Sequence, residues 1–146
     1  MPRIAVKKLD ERAVLPQYAS DFSAGADLHA LLDAPVEIAS GETKLIRTGL
    51  SMEIPKGYAG LIYARSGLAS KRGLAPANKV GVVDADYRGE VMVALHNHSA
   101  VAQTVAPGER IAQLVVAPFL KAEYFECDKL SDTVRGEGGF GSTGRL

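Results

Sequence analysis

Short apolar runs separated by turn residues recur along the whole chain, and they constrain its fold more than any other feature. The runs are Ile4 to Val6, Val36 to Ile38, Lys44 to Ile54, Gly57 to Tyr63, Val80 to Val83, Val91 to Leu95 and Ile111 to Phe119. Turn chemistry falls between them at Ser40-Gly41, Pro55-Lys56-Gly57, Asp86-Tyr87-Arg88-Gly89 and Pro107-Gly108-Glu109. Runs of this length bounded by Gly, Pro, Asp and Ser are strands joined by tight reversals, which predicts an all-β sandwich or barrel. Met52-Glu53-Ile54 alternates, as Glu90 to Leu95 does in part, so these strands have one wet face. One short helix is expected, with Ser66 as N-cap, Gly67 to Arg72 as its body and Gly73 placed to end it.

Composition narrows the class. At 146 residues the chain has the size of one domain with one core, and with no Trp and 6% aromatics that core must be aliphatic. Seventeen basic residues balance seventeen acidic ones, so no global field draws the chain to nucleic acid or to an anionic membrane. No run approaches the length of apolar sequence that spans a bilayer. The lone cysteine, Cys127, cannot form an intramolecular disulfide, and the start Met1-Pro2-Arg3-Ile4 lacks the apolar stretch of a signal peptide; both point to a reducing, cytoplasmic setting. Asn97-His98-Ser99 spells a glycosylation sequon, which without secretion is a chance match.

After Lys129 the apolar pattern stops, and the chain runs through Arg135-Gly-Glu-Gly-Gly-Phe-Gly-Ser-Thr-Gly144. This divides the protein into a barrel, residues 1–129, and a flexible Gly-rich C-terminal arm, residues 130–146. Glycines let successive N–H groups turn inward as an anion-binding concavity, and Arg135, Ser142 and Thr143 add charge and hydroxyl donors. Gly136, Gly138 and Gly141 match G-x-G-x-x-G, but no strand, helix and acidic residue surround them as a dinucleotide site requires, and no Lys follows as in a P-loop. The N-terminus of the short helix is a second anion-suited element, with Arg65 just outside it and Ser66 and Gly67 opening it. His96 and His98 share a strand face at a spacing compatible with metal, but no third ligand is near and a surface pair is the expected case. Cys127 has no activating neighbour and is given no role.

Five segments, in order, resemble the trimeric dUTP diphosphatase (dUTPase) family. They are Ala24-Gly-Ala-Asp-Leu-His-Ala30, Ala64-Arg-Ser-Gly-Leu-Ala69, Gly81-Val-Val-Asp-Ala-Asp-Tyr-Arg-Gly89, Gly108-Glu-Arg-Ile-Ala-Gln-Leu-Val115 and Arg135 to Gly144. The main departure is Ala64, where the family usually has Pro, a change expected to alter loop stiffness more than chemistry. The resemblance implies an antiparallel jelly-roll-like β-barrel and a homotrimer whose sites are shared between subunits.

It also implies hydrolysis of dUTP to dUMP and pyrophosphate by water attacking the α-phosphorus, with Mg²⁺ on the triphosphate. Asp84 matches the catalytic aspartate that activates the water, although an Asp here also suits the start of a turn. Asn78 supplies an amide for uracil, and Gly81 to Leu95 matches the family's uracil hairpin, in which backbone near Val82, Val83 and Met92 lines the base. Tyr87 resembles the ring that stacks beneath deoxyribose and refuses a 2′-hydroxyl, while Phe140 is expected to close over the uracil. Arg65, Ser66, Gly67 and Gln113 are expected on the phosphates, and Arg135, Gly141, Ser142 and Thr143 on the substrate from the arm. Asp27 is the candidate for holding Mg²⁺ through water; alternatively it braces the loop after Gly25. The rival readings are a dCTP deaminase on the same fold, which usually has a longer chain and a Glu in this hairpin, a degenerate binding protein, and a basic nucleic-acid-binding barrel.

Overall fold

The structure is a computed structural model, and it describes residues 2–140. Eleven strands and one helix run in the order β1 (Ala5–Lys8), β2 (Gln17–Tyr18), β3 (Ala26–His29), β4 (Val36–Ile38), β5 (Thr43–Glu53), β6 (Tyr58–Tyr63), α1 (Ser66–Arg72), β7 (Leu74–Pro76), β8 (Gly81–Val83), β9 (Val91–Asn97), β10 (Gln103–Val105) and β11 (Arg110–Pro118). One sheet has the order β1-β5-β9-β7, a second β2-β3-β11-β6-β8, and β10 pairs β4 as a two-stranded ribbon. All of the ladders are antiparallel. This is the expected all-β, jelly-roll-like architecture with one short helix.

The core between the sheets is aliphatic, as the composition requires. Leu28, Ile38, Ile46, Leu50, Ile54, Leu74, Leu95 and Ile111 are fully buried, and Val91, Val93 and Val105 fill the gaps between them. Each such side chain contributes about 1.5–3 kcal/mol through loss of its contact with water. β9 shows how the sequence chooses its faces: Val91, Val93, Leu95 and Asn97 point inward while Met92 points out. Asn97 is the polar exception, at 0% exposure. Its Nδ2 donates to the carbonyls of Ile38 and Val101, at 2.9 and 2.8 Å, and its Oδ1 accepts from the Ser99 N–H and hydroxyl. The sequon asparagine is therefore a satisfied core residue.

Three sequence expectations are corrected. Ser66 is the first helical residue rather than the cap; the cap position is Arg65, with extended backbone and no side-chain cap bond, because the turn entering α1 places Ser66 already in helical conformation. Gly73 does end the helix, at φ 66°, where its N–H reaches back to Ala69. The reversal after β8 starts at Asp84, whose carbonyl accepts the Tyr87 N–H at 3.2 Å, not at Asp86. Finally, Gly81 to Leu95 is not a paired hairpin. β8 pairs with β6 in one sheet, and β9 pairs with β5 and β7 in the other, so residues 84–90 form a crossover between sheets.

β11 ends at Pro118, and no strand or helix follows it among the described residues.

Candidate functional site

Splitting β8 from β9 opens a cavity of about 300 Å³ between the two sheets. It is lined by Ile62, Asn78, Gly81, Val82, Val83, Asp84, Tyr87, Glu90, Val91 and Met92, with Leu45 at its side. Asn78, Val82, Val83, Tyr87 and Met92, which the sequence assigned to base and sugar, are therefore in one place, whereas Phe140, expected over the uracil, does not line this cavity. Strand alternation accounts for part of this: Val83 packs inward while Val82 is turned out. Asn78 arrives by a tight turn in which Lys79 takes φ 64° and donates its N–H to Pro76. Its Nδ2 hangs over Gly81, where a Cβ would come within 3.3 Å.

Asp84 stands exposed at the end of β8, and among the described residues no hydrogen bond or ion pair engages its carboxylate. Its backbone closes the turn and its side chain is left free for chemistry, so the turn-initiating and catalytic readings do not compete. Tyr87 is half-exposed; its hydroxyl donates to the Glu90 carbonyl at 2.9 Å, and its ring lies against Gly89, where a Cβ would come within 2.6 Å of Cζ.

A second cavity, of about 590 Å³, is lined by Ser23, Ala24, Gly25, Asp27, Arg65, Ser66, Gly67 and Gln113, with Ala19 and Val115 at its edge. Here Asp27, 8% exposed, is the buried anion. Its Oδ1 accepts from Arg65 Nε at 2.7 Å and its Oδ2 from Arg110 Nη1 at 3.2 Å, so one carboxylate positions two guanidiniums and the cluster keeps a net positive charge. Gln113 donates its Nε2–H to the carbonyl of Ala64 at 2.9 Å, bracing the loop into α1. Ala64 serves through that carbonyl, which a proline would present equally. The first N–H drawn into the helix is that of Ala69, bonded to Arg65, leaving the N–H groups of Ser66 and Gly67 to other partners. Donors of this kind, beside two arginines, suit an anion.

Sequence reasoning missed Arg110 and Glu90. Arg110 lay inside a recognised segment, and its role follows only from a contact 83 residues away. Glu90 carries the mark of a residue whose partners, Arg47 and Gly49, are on another strand.

The two cavities share no lining residue. Asp84 and the arginine cluster are thus not brought into one pocket within a single chain. In the arm, Arg135 Nε donates to the Gly138 carbonyl at 2.6 Å, and Phe140 is fully exposed. Gly141, Ser142 and Thr143 lie outside the described residues.

His96 and His98 stack edge to face with centroids 4.3 Å apart, and Thr43 Oγ1 lies 2.7 Å from His96 Nδ1. Among the described residues no group of three or more His, Cys, Asp or Glu gathers as for a metal, and no helix is long and apolar enough to cross a membrane.

Comparison with known proteins meets this geometry. A deoxyuridine 5'-triphosphate nucleotidohydrolase of Nautilia profundicola is 50% identical over 143 residues, covering 98% of this chain and 99% of the relative. One from Burkholderia cenocepacia is 47% identical over 146 residues, covering 98% and 99%. The solved dUTPase of Staphylococcus bacteriophage 80alpha with dUPNHPP superposes with a TM-score of 0.88 at 28% identity, covering 99% of each chain. The dUTPase family model matches residues 11–144, a span that contains both cavities and enters the arm, and on that match the chain belongs to the dUTPase family.

Proposed function

We propose that this protein hydrolyses dUTP to dUMP and pyrophosphate, with water attacking the α-phosphorus, and so keeps uracil out of DNA while supplying dUMP for thymidylate synthesis. The observation that carries this reading is the free carboxylate of Asp84 at the mouth of a cavity lined by Asn78, Val82, Val83, Tyr87 and Met92. Uracil presents two carbonyl acceptors flanking one N–H, a pattern that one side-chain amide and a stretch of backbone can read. Asn78 offers the amide, and the residues around Val82, Val83 and Met92 offer the backbone. Cytosine reverses part of that order and would leave buried groups unpaired. The Tyr87 ring, set beneath the sugar, leaves no room for a 2′-hydroxyl. Asp84 takes the proton of the attacking water, a contribution on the order of 10²–10⁴ in rate.

The triphosphate belongs to the second cavity, with Arg65, Ser66, Gly67 and Gln113 as donors and Arg110 held beside them by Asp27. Because base and phosphate cavities share no residue in one chain, a complete site calls for more than one copy. This supports a homotrimer whose active sites are shared. In that assembly the arm, residues 130–146, closes over a site, bringing Phe140 to the uracil, Arg135, Ser142 and Thr143 to the terminal phosphate, and Gly141 to the substrate. Stacking of Phe140 contributes on the order of 1–3 kcal/mol, part of which offsets the ordering of the glycines.

The donor chemistry also fits Mg²⁺. A carboxylate has about four lone-pair sites, and Asp27 uses two on Arg65 and Arg110, so it can still accept from metal-bound water without entering the inner shell. Bound to phosphate oxygens, Mg²⁺ would neutralise charge on the triphosphate. The proposed compartment is the cytosol, in keeping with the free, exposed thiol of Cys127.

The test is release of pyrophosphate from dUTP, dCTP, dTTP and UTP with Mg²⁺, with ammonia assayed in the same tubes. Pyrophosphate and dUMP from dUTP alone are expected. Ammonia from dCTP would instead indicate deaminase chemistry, and no turnover of any of the four would leave a binding protein.

A further inference from the structure

The crossover 84–90 passes between sheets, so ladder bonds do not hold it and side chains must. Ser51 Oγ donates to the Arg88 carbonyl at 2.6 Å, and Arg88 pairs with Glu53 at 3.3 Å. Glu90 makes a further, largely buried tether, with its side chain 15% exposed. Its Oε1 accepts the Gly49 N–H at 2.8 Å, and both its oxygens lie 3.1 Å from Arg47 Nε.

That N–H is free because the β5–β9 register slips between Arg47 and Leu50, taking Thr48 and Gly49 out of the ladder. Gly49 sits at φ 71°, and a Cβ there would come within 2.7 Å of Leu31 Cδ2 and 2.8 Å of Ala13 Cβ. The bulge therefore requires glycine and is pinned from behind by the core. Glu90 thus joins a rigid bulge to the substrate cavity. The backbone carbonyl of Glu90 in turn accepts the Tyr87 hydroxyl.

We propose that Glu90 is a positioning residue for sugar specificity: by fixing its own backbone to the β5 bulge, it fixes the carbonyl on which the Tyr87 ring hangs. The inference rests on the reading of Tyr87 as the ring beneath deoxyribose. Glu90 engages Gly49 and Arg47 with its carboxylate and acts on the substrate through Tyr87. When the tether is lost, the ring gains freedom to tilt and a 2′-hydroxyl can enter.

The experiment compares kcat and KM for dUTP and UTP in the full-length wild type and in Glu90→Ala, Glu90→Gln and Tyr87→Phe. The Gln variant keeps an acceptor for the Gly49 N–H and gives up only the charge facing Arg47. The ratio of kcat/KM for dUTP over UTP should fall about tenfold in Glu90→Ala, mainly through KM, and stay near wild type in Glu90→Gln. Tyr87→Phe breaks the same bond from the other end with Glu90 in place, so it should lower the ratio even if Glu90→Ala fails to fold. A folded Glu90→Ala with the wild-type ratio, or one that loses kcat equally on both nucleotides, overturns the proposal. So does a wild-type ratio in Tyr87→Phe. The wild-type arm separates the two claims: no pyrophosphate from dUTP there sinks the reading of function and this inference with it, whereas an active, selective wild type leaves the variants to judge Glu90 alone.

Discussion

The amide of Gln113 occupies the space that a side chain on Gly25 would need: a Cβ there would fall on Oε1 and within 2.9 Å of Cδ. Glycine at 25 is thus a condition for Gln113 to reach the Ala64 carbonyl and brace the loop that carries Arg65. In Gly25→Ala the side chain of Gln113 must turn away, which the end of a flexible, half-buried side chain can do without unfolding the sheet. Thermal stability should change little while kcat/KM for dUTP drops about 10- to 100-fold, the scale of small misplacements in an active site. Steady-state kinetics beside a thermal melt checks this, and unchanged kinetics would remove Gln113 from the phosphate site.

His29 should make stability depend on pH. Burial holds its pKa below the usual 6.5, with Arg110 and Arg65 pushing the same way against Asp27, and its Nδ1 is buried with no partner among the described residues. Between the lowered folded value and 6.5 the unfolded chain binds a proton that the folded chain does not. The contribution is therefore complete above pH 6.5 and is lost as pH falls through the folded value. Urea midpoints from neutral to mildly acidic pH should fall more steeply for the wild type than for His29→Asn. Parallel profiles would contradict the assignment.

Asn97 closes the β9 end of the core with side-chain bonds to the carbonyls of Ile38 and Val101. Asn97→Leu keeps the bulk but removes the side-chain partners of the Ile38 carbonyl and the Ser99 N–H, at about 1–3 kcal/mol for each group left unmade, while the Val101 carbonyl still accepts from the Ser99 hydroxyl. A loss of about 2–4 kcal/mol in denaturant unfolding is expected overall. Stability within 0.5 kcal/mol of wild type, the range of an ordinary surface change, would show that water repairs the site.

Shared sites predict complementation. A chain lacking residues 130–146 and a full-length Asp84→Asn chain should each be nearly inactive. Refolded together they should recover part of the wild-type rate, because mixed assemblies can contain a site with both Asp84 and an arm. Two inactive parents that give an inactive mixture, despite co-assembly by native mass spectrometry, would count against sharing.

Much of the fold was legible because strands with one wet face leave a local signature. Val36–Ile38 was placed as found, and the expected Lys44 to Ile54 differs by one residue at each end from Thr43–Glu53. β2, β7 and β10, Gln-Tyr, Leu-Ala-Pro and Gln-Thr-Val, are two or three residues long and lack the apolar run that marked the equally short β4 and β8. β3 was hidden because Ala-Asp-Leu-His places a carboxylate on a buried strand, which pattern reading discounts and which only Arg65 and Arg110, far along the chain, make tolerable. Residues 81–95 were singled out, but their geometry was misread as a hairpin, since nothing local to them reveals that β6 rather than β9 is the partner of β8. The residues proposed to meet substrate through their own side chains, such as Asp84, Asn78 and Tyr87, were candidates in the sequence. Those that act by holding others, Arg110 and Glu90, were not.

The most direct measurement is pyrophosphate release from dUTP with Mg²⁺ by wild type and Asp84→Asn side by side, with dUTP affinity measured for both. Rapid release by the wild type, a loss of about 10²–10⁴-fold in kcat for Asp84→Asn, and nearly equal affinity are expected. A variant that turns over dUTP at the wild-type rate would contradict this.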